Sequence, residues 1–395
     1  MSNQDPIVIV SAKRTPLGSF QGELSRLPAG QLAAEVVRAV IAESRLAPTD
    51  IDELLLGCVI SAGVGQAPAR QAALLAGLSP KTSCTTINKV CGSGMKAVML
   101  AHDILASGQN GIMLAGGVES MSNAPYLLEK ARAGFRLGHQ EVKDALFVDG
   151  LEDAYNPGKL MGAFAEDTAE KYHFTREIQD AFAIRSLTRA QQAIKIGAFE
   201  QEIAPVHIAS PKGDVIITTD EGPGKANFDK IPQLRPAFKK DGTVTAANSS
   251  SISDGAAALI LMRESEAKKR GLRSLARIIA HASHSQEPAL FTTAPVGAIK
   301  NVLEKANWST QDVDLYEINE AFAVVTLAAI HDLALPEDKV NIHGGACALG
   351  HPLGASGARI LVTLIHALHQ KKLKRGVAAL CIGGGEATAV AVEVI

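Results

Sequence analysis

The sequence predicts an α/β protein of two similar halves with an insertion between them, and three observations carry that expectation. Short β-rich runs alternate with helical spacing, the same segments recur in the same order near both ends, and the middle third matches neither end. At 395 residues the chain exceeds one ordinary core, so two or three domain-sized units are expected.

The alternation is read as follows. Residues 7–10, 53–59, 112–115, 256–262, 315–318 and 377–382 are short, apolar and bounded by Gly or charge, as buried strands are. Residues 32–43, 95–105, 296–305 and 358–369 have the spacing of helices with one apolar face. Such alternation argues for helices layered on a largely parallel sheet.

The repeat emerges on shifting the sequence against itself. A shift of 262 lays Val37-Arg38-Ala39-Val40-Ile41 on Ile299-Lys300-Asn301-Val302-Leu303, and Asp50-Ile51-Asp52 on Asp312-Val313-Asp314. A shift of 263 aligns Ser93-Gly94-Met95-Lys96 with Ser356-Gly357-Ala358-Arg359. With four more residues inserted, Gly116-Gly117-Val118-Glu119 falls on Gly383-Gly384-Gly385-Glu386. One register held over four segments indicates duplication, with halves at roughly 1–120 and 270–395 packed as a pseudo-dimer. The unmatched region carries Pro, Gly and charge clusters around a helical stretch over 163–198. An insertion of that length usually serves binding or assembly. Residues 244–262 then return to strand character and are expected to rejoin the first half.

Composition excludes several classes. Hydrophobic residues are 47% and charged residues 20%, as in ordinary folded proteins. A net charge of −2 argues against a nucleic-acid binder, which needs a dense basic face. No apolar run approaches a membrane span, and the polar residues 1–5 do not read as a signal peptide. The five cysteines are odd in number and scattered, so reduced thiols and a cytoplasmic setting are expected.

Four motifs could carry chemistry. In Asn88-Lys89-Val90-Cys91-Gly92-Ser93-Gly94 the cysteine precedes a helix, where free N–H groups favour a thiolate. A small buried hydrophobe is an equal reading of the same residue. In the segment from Gly344 to Gly357, His351 sits among Gly and Pro, free to act as base for a thiol or merely to cap a turn. His343, Cys347 and His351 recur every fourth residue, but Gly344, Gly345, Gly350 and Pro352 break the helix that metal ligation would require. Cys381 ends a strand that runs into Gly383-Gly384-Gly385, whose N–H groups suit an oxyanion as well as a tight turn. Asn319 also follows a strand, as a hydrogen-bonding group or a helix cap. There is no G-x-S-x-G elbow, complete dinucleotide loop or phosphate loop.

Together, in this order and spacing, the Cys91 segment, Asn319-Glu320-Ala321-Phe322-Ala323, Gly350-His351-Pro352 and the Cys381 glycine turn resemble the four signature blocks of the thiolase family. The likeness covers essentially the whole chain. It implies a five-layer αβαβα fold with residues 1–120 and 250–270 as one half and 271–395 as the other. A loop domain over 121–249 would bind coenzyme A and support a homotetramer. It implies acetyl transfer between cysteine and coenzyme A, making or cleaving acetoacetyl-CoA, with acyl-CoA as substrate and no permanently bound cofactor. Cys91 would be acylated, His351 would activate it, and Cys381 would exchange the α-proton. The N–H groups of Cys91 and Gly383 would form an oxyanion hole, and Asn319 would hold a water beside the enolate.

Coenzyme A would contact Leu151, Met161, Phe238, Ala246, Ser250, Ala321 and Phe322, with Lys225 toward a phosphate. Phe291, at a bulky acyl-pocket position, favours short chains. Leu160, His343 and Glu386 depart from the family pattern, and Glu386 bears on subtype. A 3-ketoacyl-CoA thiolase for longer chains is the alternative within the fold. A noncatalytic acyl-CoA binder is the alternative outside it, and the intact motif residues oppose it.

Overall fold

The computed structural model describes residues 5–209 and 213–395, so most of the polar start at 1–5 lies outside it. Nine strands make one continuous sheet: β1 (Ile7–Arg14), β2 (Glu53–Gly57), β3 (Ser83–Ile87), β4 (Ile112–Ser120), β5 (Ser253–Arg263), β6 (Ala276–Ser285), β7 (Leu315–Ile318), β8 (Arg375–Ile382) and β9 (Glu386–Val394). Their order is β7-β8-β9-β6-β1-β5-β4-β2-β3, and Gly18–Ser19 adds a short strand beside β5. The main helices are α1 (Ala29–Ser44), α2 (Pro68–Leu75), α3 (Ser93–Ala106), α4 (Met161–Tyr172), α5 (Arg176–Lys195), α6 (Ala294–Ala306), α7 (Ala323–Leu333) and α8 (Leu353–Lys371).

Outward from the β1–β6 junction the order is β1-β5-β4-β2 on one side and β6-β9-β8-β7 on the other, the arrangement a duplicated unit gives. The junction itself is slight, pairing only Val8 with Arg277 and Ile9 with Ala276. The repeat extends to single hydrogen bonds. Asp52 accepts from the N–H groups of Gly111 and Ile112 at 2.8 and 2.9 Å. Its counterpart Asp314 accepts from those of Lys374 and Arg375, both at 2.9 Å. Each carboxylate precedes one strand and ties it to the start of its neighbour, β2 to β4 and β7 to β8.

Burial separates the layers. Apolar side chains of α3 and α8 pack between the two sheet halves. Helices α1 and α2 cover the outer face of the first half, and α6 and α7 that of the second. The result is an α-β-α-β-α stack. The expected strands and helices are all present, but the sheet is not largely parallel. Only β2–β3, β2–β4 and β7–β8 are parallel. Strands β8 and β9 are joined by the Gly383–Gly385 turn, which is too short for a parallel crossover. Strand β5, arriving after the insertion, lies antiparallel between β1 and β4.

Helix α8 starts at Leu353, five residues before its spacing becomes visible in sequence, because Gly354 and Gly357 lie inside it. A Cβ on Gly354 would meet Val118 O at 2.4 Å, and one on Gly357 would meet Met95 N at 2.5 Å. A Cβ on Gly94 would meet Gly354 O at 2.7 Å, so the first turns of α3 and α8 touch backbone to backbone. The helical stretch over 163–198 is two helices, α4 and α5, broken at His173 in the left-handed conformation. Among the described residues no helix is long and apolar enough to cross a membrane.

The insertion is tied to the core by charge. Buried Arg14 on β1 donates to Glu202 at 2.5 Å and to Asp220 at 2.6 and 2.9 Å. Glu119, at the end of β4, is likewise buried. Its carboxylate accepts from Val59 N–H (3.0 Å), Ile60 N–H (3.1 Å) and Gly354 N–H (2.8 Å), and from the Cys58 thiol (3.7 Å).

Burial pushes the Glu119 carboxyl up to about 7, while these donors pull it down. A carboxyl harder to ionise folded than unfolded contributes most below its unfolded pKa and loses that contribution as pH rises through its folded value. The stability of wild type relative to Glu119→Gln, from urea unfolding, should therefore fall by about 3 kcal/mol between pH 4 and pH 8. A difference independent of pH would show that Glu119 titrates alike in the folded and unfolded chain.

Candidate functional site

Four strand ends and loops bring the sequence motifs together at the α3–α8 contact. After β3 the chain turns sharply into α3, with Val90 held at φ 46°, a region β-branched residues avoid. The turn is fixed by three short bonds: Val90 N–H to Asn88 Oδ1 (2.9 Å), Lys89 N–H to Ser93 Oγ (2.8 Å) and Ser93 O–H to Val90 O (2.6 Å). Cys91 is thereby presented just ahead of α3. It packs with Val59, Ile60, Met121 and Leu353, two residues beyond His351. The N–H groups of Gly383 and of Cys91 itself both act on its sulfur.

The expected lowering of the Cys91 pKa is not found. Desolvation by the surrounding apolar side chains pushes the thiol up to about 11, and the two N–H groups recover only part of that shift. Cys91 is thus a neutral thiol in the free protein, which needs a base.

His351 is the candidate. Its main-chain N–H donates to Ser251 O at 3.0 Å, and its Nδ1 lies 2.5 Å from Ser356 Oγ. The Ser356 hydroxyl donates to Pro352 O at 2.9 Å, so Nδ1 carries the proton given to Ser356 and Nε2 keeps its lone pair. Burial, with the charge of Arg359 behind it, holds the ring down to about 3 and therefore neutral. Asn319 Nδ2 approaches the same Nδ1 at 3.4 Å, a packing contact in this tautomer. Among the described residues His351 Nε2 and Asn319 Oδ1 have no partner, which marks them as groups for a reacting molecule.

Cys381 is buried on β8 among Phe164, Phe291, Phe322 and Val325. Burial first, then the charge of Cys91, raises its thiol well above the usual range. The two sulfurs therefore sense one another. Gly383 begins the turn, and Gly384 and Gly385 supply the φ values of 91° and 85° that it requires.

A segment over 248–251 aligns these pieces. Ala323 N–H donates to Asn248 O at 2.8 Å and Ser250 N–H to Ala321 O at 2.9 Å, alongside the His351 bond to Ser251. Next to it lies a cavity of about 360 Å³ lined by Leu151, Met161, Phe238, Ala246, Ser250 and Phe322, and by Leu160, which departs from the family pattern. A second cavity, of about 380 Å³, shares Ala246 and Ser251 with the first and reaches Lys225 and Lys230. Lys225 is paired with Glu221.

Ala321 and Phe291 line neither cavity. Ala321 is buried and bonds Ser250 through its carbonyl, and Phe291 packs edge-on against Phe164 at 6.1 Å. His343 bonds Gln370 at 3.2 Å and Cys347 donates to Glu320 O at 3.7 Å, so neither joins His351.

Glu386 takes part unexpectedly. It bonds Lys89 at 2.5 Å and Ser285 at 3.1 Å, tying the turn before Cys91 to the turn after Cys381. Sequence reasoning missed Ser356, Glu119, Ser251 and Lys230 as functional groups. Ser356 and Glu119 were visible within the repeat, as counterparts of Ser93 and Glu386, but their partners were not.

Comparison with known proteins gives one consistent answer. The thiolase N-terminal domain matches residues 7–265, and the thiolase C-terminal domain residues 272–394. A probable acetyl-CoA acetyltransferase of Dictyostelium discoideum is 51% identical over 392 residues, covering 99% of this chain and 94% of that protein. The crystal structure of the Bacillus anthracis acetyl-CoA acetyltransferase superposes with a TM-score of 0.97 at 41% identity, over 99% of both chains. A thiolase from Ascaris suum, solved in complex with coenzyme A, gives a TM-score of 0.93 at 43% identity, over 99% of this chain and 100% of that one.

Two outcomes follow from the geometry. Alkylation of Cys91 by iodoacetamide, followed by peptide mass, should quicken about tenfold per pH unit from pH 7 to pH 9, as for a thiol titrating higher still. A plateau below pH 8 would reveal a thiolate in the free protein. Glu386→Gln should slow that alkylation about three- to fivefold, the worth of a partly exposed ion pair, with an unchanged melting temperature. An unchanged rate would separate the Lys89 contact from the placement of Cys91.

Proposed function

The chain belongs to the thiolase family, and from that premise we propose that it is an acetyl-CoA C-acetyltransferase. It would condense two acetyl-CoA molecules to acetoacetyl-CoA and coenzyme A, and run the reverse thiolysis, through an acyl-cysteine. The observation that carries this reading is the pair of thiols, half-buried Cys91 and buried Cys381, close enough for the charge of one to raise the pKa of the other.

In the first half-reaction His351 Nε2 accepts the Cys91 proton, and the sulfur attacks the thioester carbonyl. The N–H groups of Cys91 and Gly383 hold the developing oxyanion in a dry site, where such bonds are strong. The proton leaves on coenzyme A. Acylation leaves Cys91 without an ionisable proton, so no thiolate there can oppose one at Cys381.

In the second half-reaction His351 takes the Cys381 proton, and the Cys381 thiolate removes the α-proton of the next acetyl-CoA. Imidazolium His351 and a water on Asn319 stabilise the enolate oxygen. The enolate carbon then attacks the acetyl group, and the released Cys91 sulfur regains its proton from His351. Every group ends as it began.

The two neighbouring cavities, which share Ala246 and Ser251, suit coenzyme A. The apolar one, with Leu151, Met161, Phe238, Ser250 and Phe322, would take the pantetheine arm, and Lys225 and Lys230 flank the phosphate end. Ala321 and Phe291 support this wall from behind. We assign residues 1–120 with 250–270 to one half, 121–249 to the loop domain and 271–395 to the other half. The loop domain leaves Tyr126, Leu137 and Val142 strongly exposed, which favours assembly into a homotetramer. Five free cysteines fit a reducing, cytoplasmic setting. A 3-ketoacyl-CoA thiolase for longer chains is the second reading, to be separated by activity against acyl-chain length.

Incubation with acetyl-CoA alone, followed by intact mass, tests the mechanism. One acetyl adduct is expected in wild type and Cys381→Ser and none in Cys91→Ser, with acetoacetyl-CoA formed only by wild type. An adduct that persists in Cys91→Ser, or none in any of the three, would sink it.

A further inference from the structure

Away from the reacting groups, at the other end of α3, three side chains aim their ligand atoms at one point. We propose that His102, Asp103 and His281 form a binding site for a divalent transition-metal ion, Zn2+ or a close relative. His102 Nδ1 and His281 Nε2 are 3.2 Å apart, and Asp103 Oδ1 lies 3.0 Å from the first and 2.8 Å from the second. It is the one such cluster of three among the described residues.

The triangle has the size a metal needs. A tetrahedral ion with bonds of about 2.0–2.1 Å holds its ligand atoms about 3.3 Å apart. The observed separations are shorter by a few tenths of an ångström, which a small rotation of the exposed Asp103 side chain supplies. The two imidazoles meet edge to face, with centroids 4.9 Å apart at 83°, so their nitrogens converge where stacked rings would not. Both rings are largely covered, whereas Asp103 is 55% exposed, which leaves a solvent-facing position for a fourth ligand.

The surroundings favour the neutral imidazoles that metals bind. Burial lowers the pKa of His281. The nearby Lys305 ammonium is held on His281 O at 3.1 Å rather than on the Asp103 carboxylate. Two imidazoles and one carboxylate select Zn2+, Co2+, Ni2+ or Cu2+ over Mg2+ and Ca2+, which prefer all-oxygen shells.

The site has no part in acyl transfer. His102 stands eleven residues from Cys91, roughly 16 Å along the helix. It joins α3 of the first half to β6 of the second, four residues beyond the end of the short β1–β6 pairing. A bound ion would cross-link the two halves there and raise the melting temperature by mass action.

The test is a titration of chelator-treated full-length protein with Zn2+ against a chromophoric chelator, beside melting curves. One Zn2+ per chain should bind at micromolar Kd or tighter and raise the melting temperature by several degrees. His281→Gln and His102→Gln should each weaken binding at least tenfold and abolish the thermal shift. Asp103→Asn, an exposed change that leaves the fold intact, should weaken binding as well. Absence of one-to-one binding would overturn the proposal, and so would binding unchanged in all three variants, which would place the ion on the cysteines.

Discussion

The first turns of α3 and α8 meet with no side chain between them, and the rest of the site depends on that contact. Gly94 and Gly354 let the two backbones touch, and Gly117 of β4 lies against the same carbonyl of Gly354, where a Cβ would come within 1.9 Å. The Glu119 carboxylate then fastens the arrangement by accepting from the loop after β2 and from the N-terminus of α8. One helix carries Cys91 at its start and the other follows His351. A wider crossing would separate thiol and base, whatever the conformation of each loop.

The duplication supplies a reciprocal device. Glu119 belongs to the first half and holds the Gly354 N–H of the second. Its repeat counterpart Glu386 belongs to the second half and holds Lys89 of the first. Each half therefore grips the reactive-site turn of the other. The two bonds differ in environment: Glu119 is buried on main-chain donors, and Glu386 is partly exposed on a flexible cation. The first is structural in weight and the second adjustable.

The electrostatics favour neutral groups over a standing ion pair. Both thiols are raised by desolvation, and His351 is lowered by the same cause. Such a site stores little reactivity at rest. In the proposed mechanism charge develops only when a carbonyl occupies the N–H groups of Cys91 and Gly383, and an acylated Cys91 offers no thiolate to oppose one at Cys381. The dry surroundings that suppress the thiolates also strengthen the bonds that stabilise the reaction's anions.

The sequence by itself determined the alternation of layers, the internal repeat and the four motifs, because apolar periodicity and local spacing survive in one dimension. Cys91, His351, Asn319 and Cys381 therefore stood out as candidates, while the cavity residues came only from the family resemblance. The sequence did not show strands such as β6 and β9, whose Ala, Ser and His residues have weak strand preference, or α7, which is apolar nearly all round. It also misjudged the sheet as largely parallel, since strand direction depends on which distant segments pair. Only the tertiary structure decided the protonation of Cys91, the tautomer of His351 set by Ser356, and the partners of Glu119 and Glu386. Each of these depends on desolvation or on contacts between residues far apart in the chain, and neither leaves a local trace in sequence.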